Sequence, residues 1–238
     1  MSRKVRVAVV AGGRSSEHEI SVASARSVID ALDPGRYDIE TIEIDREGRW
    51  ALNSGMRELE RPVAETLPVP TASGSPPETL GSVDVVLPIL HGPFGEDGTV
   101  QGLLELAGVP YVGAGVTASA LCMDKDLFKS VCRDKGIPVT RSVTVRNGDR
   151  PENPFGYPVF VKPARLGSSV GITKVASEDE LDEAVDLARR HDEKVLIEEL
   201  VDGVEVECGV LGNREPIASS GIRGGMIRSI PPSSYLAE

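Results

Sequence analysis

The residues best suited to chemistry lie in one short stretch, Lys162-Pro163 followed by Gly167-Ser168-Ser169-Val170-Gly171. A lysine at a strand end, then a loop of small residues, suits a polyphosphate. Glycine lets backbone N–H groups approach phosphate oxygens, and the serine hydroxyls add donors. An ordinary hairpin turn with a surface lysine has the same composition, and spacing alone does not choose between the two. The GxxxxGK[ST] loop is absent, which excludes a P-loop NTPase. A second stretch, VLIEELVDGVE from Val195 to Glu205, leads an apolar run into the acids Glu198, Glu199 and Glu205. Backbone and carboxylate groups there could hydrogen-bond an adenine amino group and ribose hydroxyls; solvated acids at a strand end give the same pattern.

Two further candidates follow strands near the start of the chain. Gly12-Gly13-Arg14-Ser15-Ser16-Glu17 falls at the first strand–helix junction, where open α/β sheets bind their ligands. It lacks the third glycine of a dinucleotide fingerprint. Glu17 could hold an ammonium group or simply favour the first turn of a helix. His91-Gly-Pro-Phe-Gly-Glu-Asp-Gly98 has a histidine and three glycines directly after a strand, a composition suited to a ligand-approaching loop. Nothing supports Ser-His-Asp or Cys-His catalysis.

The elements that position these residues are legible in the pattern. Val5–Val10 is a compact apolar run, as in a strand buried on both faces. Ser15-Ser16-Glu17 offers helix-start chemistry before an amphipathic segment stopped by Pro34-Gly35, and Tyr37–Asp45 predicts the next strand. This βαβ start implies a parallel sheet with helices on its faces. Residues 53–81, with five of the 17 prolines, are expected to be irregular. Val83–Leu90 predicts a strand, Thr99–Ala107 a helix, Pro110–Val112 a short strand and Thr117–Lys135 a mostly helical stretch.

From about residue 137 the reading changes. Val139–Val145, Pro158–Lys162 and Val170–Val175 are expected as antiparallel strands, Glu178–His191 as an amphipathic helix and Val195–Glu198 as a strand. That order marks a second, α+β domain, with the two domains meeting near residue 115. Residues 221–238 are expected to fit no element.

Composition bounds the function. The 238 residues are 40% apolar with a net charge of −11, which fits a globular protein and argues against a general nucleic-acid binder. Three cysteines without metal or disulfide spacing suggest reduced thiols in a cytoplasmic protein, and no segment reads as a signal peptide or membrane span.

Taken together, GGRSSEHEISVASA, LHGPFGEDGTVQGLLELAGVPYVGAGVTASALCMDK, VKPARLGSSVGI and VLIEELVDGVEVECGVLG resemble the D-alanine–D-alanine ligases. These are ATP-grasp enzymes of peptidoglycan synthesis. The resemblance runs from Val5 to about Ile217 with the blocks in the family's order. It implies a Rossmann-like pre-ATP-grasp domain at 1–115 that binds D-alanine. A central ATP-grasp subdomain at 116–200 would follow, and 201–238 would begin the C-terminal subdomain, incomplete at its end. The implied reaction phosphorylates one D-alanine carboxylate with ATP, and a second D-alanine amine then attacks the acyl phosphate. By resemblance, Glu17 binds the first substrate's ammonium with His91 beside it. Lys125 and Lys162 contact ATP phosphates, and Ser168 and Ser169 lie in the loop over them, Ser168 also orienting substrate. Glu198, Glu199 and Val201 contact adenine, the last two through backbone, and Glu205 the ribose.

The resemblance also implies Mg2+ (or Mn2+), and a homodimer through the first domain. The family's Tyr-Lys lid, its oxygen-stabilising arginine and its magnesium ligands have no counterpart here, and the pattern is expected to be lost after Ser220. Catalysis by this stretch alone is therefore expected to be impaired or absent. Another ATP-grasp ligase of the D-Ala–D-lactate type, or a remnant that binds nucleotide or D-alanine without turnover, are the alternatives.

Overall fold

A computed structural model describes residues 3–53, 80, 83–167, 169–204, 206–219 and 222–223. It divides into two compact units, Met1–Glu199 and Leu200–Glu238.

The first unit opens with β1 (Val5–Gly12), at the centre of a sheet in the order β3-β2-β1-β4. β1 runs parallel to β2 (Tyr37–Ile44) and to β4 (Val85–Pro88). Its alternate side chains feed two cores. Ala8 and Val10 join Ile42, Ile44, Val100 and Leu104 on one face; Val7, Val9 and Ala11 meet Ala25 and Ile29 of α1 (His18–Ala31) on the other. Burial on both faces is why β1 is an unbroken apolar run. The edge strand β3 (Trp50–Asn53) pairs antiparallel with β2. It was not anticipated, because its four residues carry no alternation long enough to read. Residues 54–79, most of the expected irregular stretch, lie outside the described residues.

Two expectations need correction here. α1 starts at His18 without a side-chain cap, and the Ser15 hydroxyl instead donates to the His91 carbonyl at 2.7 Å. Pro110–Val112 forms an isolated parallel bridge of Tyr111 to Val86, not a strand. The stretch 117–135 is two helices, α3 (Val116–Met123) and α4 (Lys125–Asp134), which follow α2 (Thr99–Leu106). Asp124 breaks them: its extended backbone ends α3, and its carboxylate caps α4 by accepting from the N–H groups of Asp126 and Leu127.

The remainder of this unit is an antiparallel sheet in the order β5-β8-β6-β7. Its strands are β5 (Ser142–Arg146), β6 (Val159–Pro163), β7 (Thr173–Val175) and β8 (Lys194–Glu199). The strand last in sequence thus sits between the first two, an ordering that local pattern does not encode. One face, with Val145, Val159, Val161, Val195 and Ile197, packs on Leu181, Ala184, Val185 and Ala188 of α5 (Leu181–Arg189). Phe160 and Lys162 alternate with those core positions along β6, and Lys194, Leu196 and Glu198 do so along β8, so they point to the opposite face.

The second unit holds short antiparallel pairs. β10 (Val210–Leu211) pairs with β11 (Ile217–Ala218), and β9 (Val206–Glu207) with β12 (Ile222–Arg223). The expectation that nothing after residue 220 joins an element is therefore wrong at Ile222–Arg223; residues 224–238 lie outside the described residues.

Candidate functional site

Glu17 ends the loop after β1 and is 6% exposed. Its backbone N–H donates to the Ser15 hydroxyl, which in turn donates to His91, so the two strand-end loops are laced together. Two glycines from different segments face the carboxylate. A Cβ on Gly92 would collide with Oε2, and one on Gly167 would stand 3.8 Å from it. The Gly/Ser loop after β6 therefore reaches the acid at the head of α1, although some 150 residues separate them in sequence. The His91 Nε2 lies 3.2 Å from the Ser24 hydroxyl of α1, which fixes the ring against that helix.

The polar face of the second sheet meets the first two turns of α4. Lys125 and Lys129, one turn apart, project from the same side of this helix. The Lys125 ammonium donates to the carbonyls of Leu166 and Ala164, at 2.5 and 3.4 Å, and so anchors the start of the loop. Burial, followed by the nearby charge of Lys162, lowers the Lys125 pKa, with Glu198, Asp192 and Asp124 acting against the shift. The Lys129 ammonium pairs with Glu198 Oε1 at 2.8 Å and donates to the Thr140 carbonyl at 2.8 Å. Lys162 pairs with the other oxygen, Oε2, of the same carboxylate. Glu198 itself is 5% exposed.

Two neighbouring acids, Asp124 and Asp192, are each paired with a cation. Lys194 bonds Asp124 at 2.5 Å, and the Arg165 guanidinium holds Asp192 at 2.5 Å. Burial raises the pKa of both carboxyls, but for Asp124 the Lys194 hydrogen bond, and for Asp192 the Arg165 hydrogen bond, with backbone N–H donors, outweigh it. Both end below the ordinary value of 3.8. Lys129 and Lys162 thus share one carboxylate, Glu198, and the Lys125 ammonium is bonded to backbone carbonyls nearby, a grouping of ammonium ions suited to a polyanion. Carboxylate and cations together match a ligand with an amino-bearing base at one end and phosphates at the other.

The other expected residues distribute differently. Glu199 is taken up by Arg141, which bonds its Oε2 at 2.6 Å, and its backbone N–H donates to the Arg141 carbonyl. Ser169 is exposed, with a left-handed φ of 59° in the turn before Gly171. Val201 is exposed in the second unit. Ser168 and Glu205 lie outside the described residues. Lys129, Lys194 and the Arg165–Asp192 pair were missed. The clue for Lys129 was its spacing from Lys125, since like charges four apart on a helix repel unless an anion lies between them. Among the described residues no group of three or more His, Cys, Asp or Glu side chains is placed to hold a metal ion. Among them, too, no helix is long and apolar enough to cross a membrane.

Comparison with known proteins identifies the family. The profile "D-ala D-ala ligase N-terminus" matches residues 6–114, and "D-ala D-ala ligase C-terminus" matches residues 131–225. The family pattern therefore extends beyond Ser220, where it was expected to stop. A D-alanine–D-alanine ligase of Mycolicibacterium gilvum is 47% identical over 237 residues, covering 89% of this chain and 65% of that protein. The chain thus spans about two thirds of the length of the curated relatives it matches.

Among solved structures, the D-alanine–D-alanine ligase of Coxiella burnetii superposes with a TM-score of 0.79 at 36% identity, over 92% of this chain and 70% of that one. The D-Ala:D-Ser ligase VanG of Enterococcus faecalis gives 0.78 at 37%, over 93% and 70%. The Bacillus anthracis D-alanine–D-alanine ligase complexed with ATP gives 0.66 at 30%, over 86% and 62%. With both halves matched in order and relatives of 36% to 47% identity aligned over about nine tenths of its length, the chain belongs to the D-alanine–D-alanine ligase family.

Proposed function

We propose that this protein takes part in the ATP-dependent ligation of two D-alanines through an acyl phosphate, for peptidoglycan precursor synthesis in the cytoplasm. The observation that carries the reading is the meeting of three parts. They are the buried Glu17 carboxylate, the Gly167 loop against it, and the lysine face around Glu198. In this reading residues 1–115 bind the first D-alanine, 116–200 form the nucleotide-binding subdomain and 201–238 begin the next. The chain acts on small molecules and forms a homodimer, with neither nucleic acid nor membrane as partner.

Each residue has a chemical task. Glu17 pairs with the ammonium of the first D-alanine, beside His91, and so turns its carboxylate toward the loop. Lys162 and Lys125 neutralise the nucleotide's phosphates as that carboxylate oxygen attacks the γ-phosphorus and ADP leaves. Two anions must approach each other in this step, so fixed cations and backbone donors contribute most where charge develops. Ser168 and Ser169 cover the phosphates, Ser168 also facing substrate. The second amine then attacks the acyl carbon, phosphate departs and the amine's extra proton is lost. A loop shut over the acyl phosphate protects it from water. Glu198 and the backbone of Glu199 and Val201 receive the adenine, and Glu205 the ribose. The family's Mg2+ (or Mn2+) would further neutralise the phosphates; no step here is assigned to it.

The test is phosphate release by the purified chain with ATP, Mg2+ and D-alanine, beside direct binding of each ligand and the Lys162→Ala variant. ATP binding that the variant weakens roughly tenfold or more, as loss of a charge-assisted contact requires, supports the reading. Release that depends on D-alanine and disappears in the variant establishes turnover. A chain that binds neither ATP nor D-alanine overturns it.

A further inference from the structure

Glu198 is a buried carboxylate with a lysine on each oxygen, and the two lysines are not equivalent. Lys129 is 8% exposed, and its ammonium is committed to the protein, to Glu198 Oε1 and to the Thr140 carbonyl at 2.8 Å each. Lys162 is more open and sits at the strand end where the Gly/Ser loop begins. Its ammonium lies 5.9 Å from the Phe160 ring centre and has no bond to a backbone carbonyl among the described residues. A nucleotide phosphate can therefore draw Lys162 away, whereas Lys129 has nowhere else to go. Removing one cation from a buried ion pair is costly when the carboxylate is left alone, and small when a second cation remains.

We propose that Lys129 is the positioning residue for base recognition: it keeps Glu198 in place through Oε1, so that Lys162 can transfer from Oε2 to a nucleotide phosphate while Oε2 accepts the exocyclic amino group of adenine. The inference rests on the nucleotide-binding reading above and adds to it the residue that sets base selectivity. A carboxylate held between cations only accepts hydrogen bonds, so it favours a base with an amino group at that edge and rejects one with an oxo group. Without Lys129, Lys162 is retained by Glu198 or leaves a lone buried anion, and in either case the base edge is no longer read.

The experiment is equilibrium binding of ATP and of inosine triphosphate, which differ only in the base, 6-amino with a bare N1 against 6-oxo with a protonated N1. For the unaltered chain, ATP should bind roughly 10- to 100-fold more tightly than inosine triphosphate, the range expected for one charge-assisted hydrogen bond. Lys129→Met should reduce that ratio to about 3-fold or less, and Lys129→Arg, which keeps the charge, should restore it to roughly tenfold or more. Because Lys129 acts through Glu198, Lys129→Met should leave the ratio unchanged in a Glu198→Gln background. If Lys129→Met does not fold, Lys129→Gln keeps a donor for the Thr140 carbonyl and removes the charge, and the same loss is expected.

An unaltered chain that does not bind ATP overturns the nucleotide-binding reading and this inference with it. A chain that binds ATP but does not discriminate, or that discriminates equally well with Lys129 replaced, overturns the inference alone.

Discussion

At the residue scale the site depends on where single charges are held. Glu17 is buried at the head of α1 between Gly92 and Gly167, where a charged contact to a ligand is weakly screened by water. In the proposed function that contact is to the ammonium of the amino acid substrate. Glu17→Gln should weaken D-alanine binding by roughly 10- to 100-fold through loss of the charged contact, with ATP affinity nearly unchanged; titration calorimetry with each ligand separates the two effects. An equal loss for both ligands would mean that Glu17 supports the fold and not the substrate. The acid itself was legible, because a glutamate after a strand and a Gly pair is recognisable in sequence. The approach of Gly167 was not, since it depends on how two distant loops pack.

At the scale of elements, the second sheet is tied to α4 and to the loop after β6 by two buried aspartates. Asp192 accepts from the backbone N–H of Arg165 and of Lys194 as well as from the Arg165 guanidinium, so it fastens β8 to the loop that carries the serines. Its lowered pKa sets the sign of the pH dependence. The stabilisation is fully present above the ordinary aspartate value of 3.8 and is lost as pH falls through the lower folded-state value. Asp192→Asn should cost about 1–3 kcal/mol at neutral pH and flatten the fall in stability under acid conditions, as chemical denaturation at several pH values would record. An unchanged acid limb would locate that dependence elsewhere. No motif announced this anchor. The Asp124 cap is a local contact with the N–H groups two and three residues on, whereas Asp192 finds Arg165 across the turn of a sheet.

At the scale of the whole molecule the two units differ in how they are held. Val159, Val161, Val195 and Ile197 are fully buried against α5, whereas Val204, Val206, Val210, Leu211 and Ile217 in the second unit are all more than half exposed. Paired two-residue strands without a core open easily, because few buried contacts oppose the entropy of the open chain. Amide hydrogen exchange should show slow, globally limited exchange across 195–197 and fast exchange across 206–219. Equal protection in the two segments would mean that the second unit is covered in solution.

The sequence by itself determined much of this protein. Unbroken apolar runs specify strands buried on two faces, helical spacing specifies the helices, and glycine- or acid-rich strand ends specify where a ligand can approach. These are local properties, set by backbone geometry and by the period at which apolar side chains recur. The tertiary structure alone decided that β8 lies between β5 and β6, that the Gly167 loop reaches Glu17, and that Lys129 and Lys162 share Glu198. Those outcomes turn on pairing and burial between segments far apart in the chain, where the cost of isolating a charge from water is settled by which opposite charge the fold places beside it.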